Sequence, residues 1–338
     1  MRDGFVAKKA HFYVHYSNMA VLKNYLSIIQ SALINNGFAC DEVVSLDGLD
    51  KKDLYVFPMG IDAFRFYRKG YKNYILWQQG ATADESYMRH HSMLRYKVLN
   101  SIDCFVMKNA KFIFFCSQEM KEHYENLSHC IFDDKSYLMP CFNERLSEES
   151  ILQKDYSKKN FAYVGSLELW QCFEETALLY KKIGDIYPDA HLRVLTFAKN
   201  EAEATEKIKA IGIQNYDVKS VKAEEVQREL SDSVYGFILR RVSVVNRVAT
   251  PTKISSYLSA GLIPIYSPVL HDFKKASEDM KYVIPLEEND DMNSLCKKLG
   301  MPIRKEELML EYRALFSTYY GTAYHTEKAT QLLKGICS

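Results

Sequence analysis

The chain has 338 residues, a hydrophobic fraction of 47%, a charged fraction of 26% and a formal net charge of +1. It is long enough for two domains with well-buried cores, and its balance of charge gives no global pull toward nucleic acid. No apolar run approaches the roughly 20 residues that span a bilayer, and the start, MRDGFVAKKAHFYVHY, lacks the apolar stretch and cleavage site of a secretory signal.

In chain order, strands and helices alternate. Residues 11–16 read as a strand. Residues 20–36 read as an amphipathic helix, with Val21, Leu22, Tyr25, Leu26, Ile29 and Leu33 on one stripe and Asn36-Gly37 closing it. Strands follow at 42–46, 54–58 and 73–78, with a helix or turn at AFRFYRKGY between the last two. One long helix is expected from 84 to 109, then a strand at 111–116, a helix at 119–127 and a strand at 136–140. The polar stretch 143–160 shows little periodicity and reads as a linker. Strands resume at 161–164, 192–197, 217–221, 235–239, 262–266 and 282–285, with helices between them. Terminal helices are expected at 304–320 and 322–334. The spacing predicts an α/β protein of two doubly wound, Rossmann-like domains, 1–150 and 151–303, with 304–338 packing back toward the first. Ligands of such sheets bind beyond the carboxyl ends of the strands, so two domains face to face would share one cleft.

The eight cysteines form no C-x-x-C pair. Neither a zinc site nor a disulfide framework is indicated, and reduced thiols fit a cytoplasmic setting.

The most informative stretch is 235–266, YGFILRRVSVVNRVATPTKISSYLSAGLIPIY. It reads as strand, loop, helix and strand. Thr250 is the expected N-cap, Pro251 the first helical residue and Gly261 the stop. Arg240, Arg247 and Lys253 gather near that helix N-terminus, whose amides and dipole already favour an anion. A phosphate or diphosphate is the expected ligand; the alternative is a set of solvated charges at a sheet edge. Arg241 points to the opposite face if the strand continues. Gly165-Ser166, after the first strand of the second domain, serves either as a tight turn or as a close backbone approach to a ligand.

In the first domain, Glu85 stands after a strand's carboxyl end, where a general base would meet an acceptor hydroxyl. Thr82-Ala-Asp-Glu85 equally fits a capping box. Asp84, His90 and His91 are further candidates for acid, base or hydrogen-bond donor. Residues 64–77 interleave aromatics with Arg65, Arg68, Lys69 and Lys72, and residues 86–111 add Arg89, Arg95, Lys97 and Lys108. Such a surface suits an anionic membrane or a lipid-diphosphate acceptor. A packed helix with a wet cationic face is the alternative, and the near-neutral total charge argues against nucleic acid.

These residues resemble the GT-B glycosyltransferases, and among them the family-4 group. The second half carries F-A-Y-V-G-S-L, V-L-T-F, G-F-I-L-R-R and above all T-P-T-K-I-S-S-Y-L-S-A-G-L-I-P-I; the first half carries W-Q-Q-G-A-T-A-D-E-S and F-F-C-S-Q-E-M. The resemblance implies transfer of a sugar from a nucleotide diphosphate sugar to a hydroxyl of a glycan or lipid-linked acceptor. It implies no metal and no bound cofactor, and a place at the inner face of the cell membrane. Together these readings nominate Gly165, Ser166, Arg240, Arg247, Thr250, Thr252, Lys253 and Ser256 for the donor, and Glu85 and His90 for catalysis. Two departures stand out. The family's Glu pair falls here on Val248 and Ser256, and its Arg and Lys after the glycine turn are missing from G-S-L-E-L-W-Q. A non-catalytic sugar-nucleotide-binding protein, or an epimerase of the same fold, stays open.

Overall fold

The computed structural model describes residues 8–14 and 19–337. His15 and Tyr16 of the expected first strand, the side chain of Val21, and residues 1–7 lie outside that set. The chain divides into two compact units, Met1–Cys141 with Gly321–Ser338, and Phe142–Tyr320.

The first unit holds a parallel six-stranded sheet of order β2-β1-β3-β4-β5-β6. Its strands are β1 Lys8–Tyr13, β2 Phe38–Val43, β3 Leu54–Phe57, β4 Tyr74–Gln78, β5 Phe112–Phe115 and β6 Ser136–Leu138. Its helices include α1 Met19–Asn35, α2 Gly60–Arg68, α3 Thr82–His90, α4 Met93–Asn109 and α5 Gln118–Ser128. The inner strands YILWQ and FIFF are buried throughout, as parallel strands covered on both faces require. The final helix, Thr322–Cys337, packs on α1, and Asn36 Nδ2 donates to Thr330 O at 2.9 Å.

The second unit repeats the plan with order β12-β11-β10-β7-β8-β9. Its strands are β7 Asn160–Val164, β8 His191–Thr196, β9 Tyr216–Ser220, β10 Tyr235–Ile238, β11 Ile263–Tyr266 and β12 Ile284–Pro285. The order doubles back at β7 and β10, so the carboxyl ends of these two strands mark the switch point where such sheets open a crevice.

Three local expectations change. The second strand begins at Phe38, not Glu42, because Gly37 (φ 86) turns the chain straight from α1 into the edge strand. The long helix is two. His91 closes α3 in the left-handed conformation (φ 50), and the Ser92 hydroxyl caps α4 by accepting from Arg95 N at 3.4 Å. The stretch read as a linker contains a helix, Glu148–Gln153, capped by Ser147, with Ile151 wholly buried. That helix belongs to the second unit, where Arg313 on the helix Lys305–Ser317 pairs with Glu148 at 2.7 Å.

Candidate functional site

The site is built at the switch point of the second unit. Gly165 follows the end of β7, and its φ of 147° suits glycine. The turn is pinned from three sides: Gly165 N donates to Leu195 O at 2.9 Å, Thr196 Oγ1 to Gly165 O at 2.7 Å, and Tyr163 Oη to Ser166 O at 2.6 Å. Facing it is the helix Thr252–Ser259. Tyr257 fixes that helix against the sheet. Its ring lies where a Cβ on Gly236 of β10 would stand, and its hydroxyl accepts from Val164 N at 2.8 Å. The helix starts one residue later than expected. Pro251 (φ −65, ψ 123) is the N-cap position and makes no side-chain cap, so the Thr250 hydroxyl is not the cap.

This packing brings Lys253, in the first turn, over the Tyr163 ring at 5.1 Å and beside Gly165. A Cβ at Gly165 would lie 2.5 Å from Lys253 Nζ. Arg240, after β10, reaches the same spot. Lys253 Nζ donates to Gln171 Oε1 at 2.6 Å and Arg240 Nη2 to the same oxygen at 2.7 Å. Arg240 Nη1 is held by Gln171 O and Leu239 O at 3.0 and 2.8 Å, and Arg240 N by Ser267 Oγ at 2.8 Å. Both cations are buried, at 9% and 7% exposure. Burial pushes Lys253 well below the ordinary lysine range, and the Arg240 charge pushes it further. Burial also lowers Arg240. The other groups acting on the pair are Tyr163, Tyr257 and Cys172, none a carboxylate. Two buried cations thus share one neutral oxygen.

Beyond Arg240 a pocket of about 790 Å³ opens over the carboxyl ends of β10, β11 and β12, with Arg247, Ser267, His271 and Lys274 in its wall. Arg241 also lines this pocket, and its guanidinium pairs with Glu175. Thr250 is buried, Thr252 and Ser166 half-buried. Ser256 is 5% exposed, and its hydroxyl donates toward Asn143 Oδ1 at 3.1 Å, as does Ser255 at 2.9 Å.

No family model matches the chain, and no curated protein matches it. Solved structures do. Sucrose-phosphate synthase from Thermosynechococcus elongatus aligns over 98% of this chain and 99% of its own, with TM-score 0.69 and 12% identity. HepE from Anabaena, solved in complex with UDP and glucose, aligns over 97% and 100%, with TM-score 0.65 and 7% identity. WaaG, a glycosyltransferase involved in lipopolysaccharide biosynthesis, aligns over 97% and 100%, with TM-score 0.62 and 11% identity. The chain has the GT-B fold.

Within this GT-B chain, Arg240, Lys253 and Gly165 come together, while Arg247, on the exposed end of the helix Val244–Arg247, lines the adjoining pocket with Arg240. Gln171 was not singled out from the sequence. It closes G-S-L-E-L-W-Q, the segment that departs from the family's Arg and Lys, and only the fold shows that its amide organises the two cations. Asn143, against Ser256, was missed for the same reason.

In the first unit Glu85 is half-buried above Gly80, at the carboxyl end of β4. The capping box does not form. Ala81 is the N-cap and makes no side-chain cap, which places Thr82 inside the helix. His90 is exposed at the far end of α3. Five residues on, it is turned about 140° away from Glu85. Asp84 faces His123, 3.3 Å away.

Next to them lies a buried carboxyl, Asp103, at 4% exposure. Tyr124 Oη donates to it at 3.1 Å, and Gln78 Nε2 donates to Tyr124 Oη at 3.0 Å. Burial raises its pKa to about 6, against the opposing Tyr124 hydrogen bond. The folded state therefore holds a proton that the unfolded chain releases near pH 4. Stability from this group is full below about pH 4 and is lost as pH rises through about 6. The shift of about two units corresponds to about 3 kcal/mol. Asp103→Asn should flatten that dependence, gaining on the parent by up to about 3 kcal/mol between pH 4 and 7. Urea unfolding followed at the buried Trp77, with Trp170→Phe in both proteins, checks this; parallel pH profiles would refute it.

Proposed function

We propose that this chain is a glycosyltransferase that moves a sugar from a nucleotide diphosphate sugar to a hydroxyl of a glycan or lipid-linked acceptor. The observation that carries the reading is the pair Arg240 and Lys253, buried together on one neutral amide oxygen. Two cations in a dry site are costly without an anion. A diphosphate supplies the charge, and its adjacent oxygens match a guanidinium fork and an ammonium. As the bond from sugar to diphosphate breaks, negative charge grows on the leaving group. Cations already in place stabilise it without reorganisation. The glycine turn at Gly165 leaves room for the Lys253 ammonium beside it. HepE, of the same fold, was solved with UDP and glucose, which supports a nucleotide sugar as the donor. On the acceptor side, Glu85 is the proposed base, with His90 a weaker candidate because of its exposure.

Thermal-shift measurements against UDP, GDP, dTDP and CMP sugars test the donor. One nucleotide class should raise the melting temperature, and no shift with any of them would sink the proposal. Glu85→Gln should then lower turnover at least about a hundredfold while sparing donor affinity. Full activity in that variant would remove Glu85 from the chemistry.

A further inference from the structure

A second surface, in the first unit, is independent of the donor site. No helix among the described residues is long and apolar enough to cross a membrane. Yet α4 turns a stripe outward at helical spacing: Leu94, Lys97, Val98, Ser101, Phe105 and Lys108. Leu94 is 77% exposed, and Val98 and Met93 about half. A helix that faces only water seldom spends four apolar positions there. The neighbouring helix α2 extends the surface. Its Phe64 and Tyr67 meet Phe105 edge-on, with ring centroids 5.6 and 5.0 Å apart. Ile61 is exposed beyond them.

The charges on this face are segregated. On α2 and the turn after it, Arg65, Arg68, Lys69 and Lys72 are exposed. On α4, Arg95, Lys97 and Lys108 are exposed. The carboxylates of both helices, Asp62 and Asp103, are buried at 4% exposure; Asp62 meets Arg65 at 3.3 Å. In a chain of net charge +1, the exposed ionised groups that α2, the turn after it and α4 themselves carry are thus all cations.

We propose that α2 and α4 dock this protein on an anionic lipid surface, with Leu94 and Val98 entering the acyl boundary and the cations meeting phosphate headgroups. Charge complementarity selects an anionic partner. The exposed aliphatics select one with an apolar interior. A nucleic acid offers no such interior. The aromatic rings that would stack on bases are also committed, Phe64 and Tyr67 to Phe105, with Arg68 over Phe64 and Lys72 over Tyr67.

Flotation of the full chain with phosphatidylcholine vesicles, with and without phosphatidylglycerol, tests this. Binding should require phosphatidylglycerol and weaken as salt is raised. Lys97→Gln/Lys108→Gln should lower partitioning about 25-fold, at about fivefold per cation. Leu94→Ser/Val98→Ser should lower it at least about tenfold. Both pairs are exposed, so the melting temperature should hold. Nucleotide binding should be unchanged in both, which separates failure here from failure of the donor-site reading. Absent flotation, equal binding to pure phosphatidylcholine, or indifference to both double variants would overturn the proposal. So would oligothymidylate binding that is sensitive to the lysine pair and indifferent to the aliphatic pair.

Discussion

Lys253→Met should weaken binding of the preferred nucleoside diphosphate about a hundredfold and leave the empty protein at least as stable as the parent. The loss follows from removing a charge-assisted contact in a dry site, about 2–3 kcal/mol. The stability result follows from the same burial. Among the described residues, Lys253 Nζ donates to Gln171 Oε1 and lies over the Tyr163 ring, with Arg240 beside it. Methionine keeps most of the packing and removes a like-charge repulsion. Gln171 Oε1 keeps Arg240 as its donor, so no acceptor is orphaned. A lysine placed for structure would give the reverse pattern: lower stability with affinity unchanged. Calorimetry and thermal melting of the same samples distinguish the two.

Protonation supplies a second readout of that variant. The empty site holds the Lys253 pKa well below its ordinary value, and a bound diphosphate would raise it again. Binding should therefore take up a proton. Affinity should decline as pH rises from the depressed pKa of the empty site toward the higher pKa of the complex. Calorimetry in two buffers of different ionisation enthalpy should show proton uptake by the parent between those two pKa values and little by Lys253→Met. Equal uptake by both proteins would assign the proton elsewhere.

The residues that the sequence could nominate share a local cause. Arg240 and Lys253 follow from a strand end and a helix start, features legible within one stretch. The sheets were legible too, because YILWQ, FIFF, YGFI and IPIY are apolar runs bounded by turns. What could not be read came from elsewhere in the chain. Gln171 meets Lys253 across 82 positions and Asn143 meets Ser255 across 112. No local pattern marks either contact. The break at His91 was hidden for another reason. Helical periodicity runs on through 84–109, and the Ser92 cap competes with it only once the left-handed turn forms. Glu85 shows the limit in the opposite direction: a capping-box pattern was present, and the backbone began the helix one residue earlier.

Gly165→Ala should weaken nucleotide binding by up to about a hundredfold, and should do so through Lys253. The residue sits at φ 147°, where a side chain is strained, a stability cost of about 1–2 kcal/mol. The added methyl would also lie 2.5 Å from Lys253 Nζ and 3.6 Å from Gln171 Oε1. The ammonium is the movable partner, so it leaves the position shared with Arg240. Strain and displacement can be told apart with a double-mutant cycle. If the methyl acts by moving the ammonium, Gly165→Ala should cost far less affinity in the Lys253→Met background than in the parent. Its effect on melting temperature should be similar in both. If the methyl instead fills space the nucleotide needs, the loss of affinity will be the same in either background. Calorimetry on the four proteins decides between a glycine that positions a cation and a glycine that admits the ligand directly. In either case the turn after β7 would be a required part of the donor site, and unchanged affinity in the single variant would exclude it.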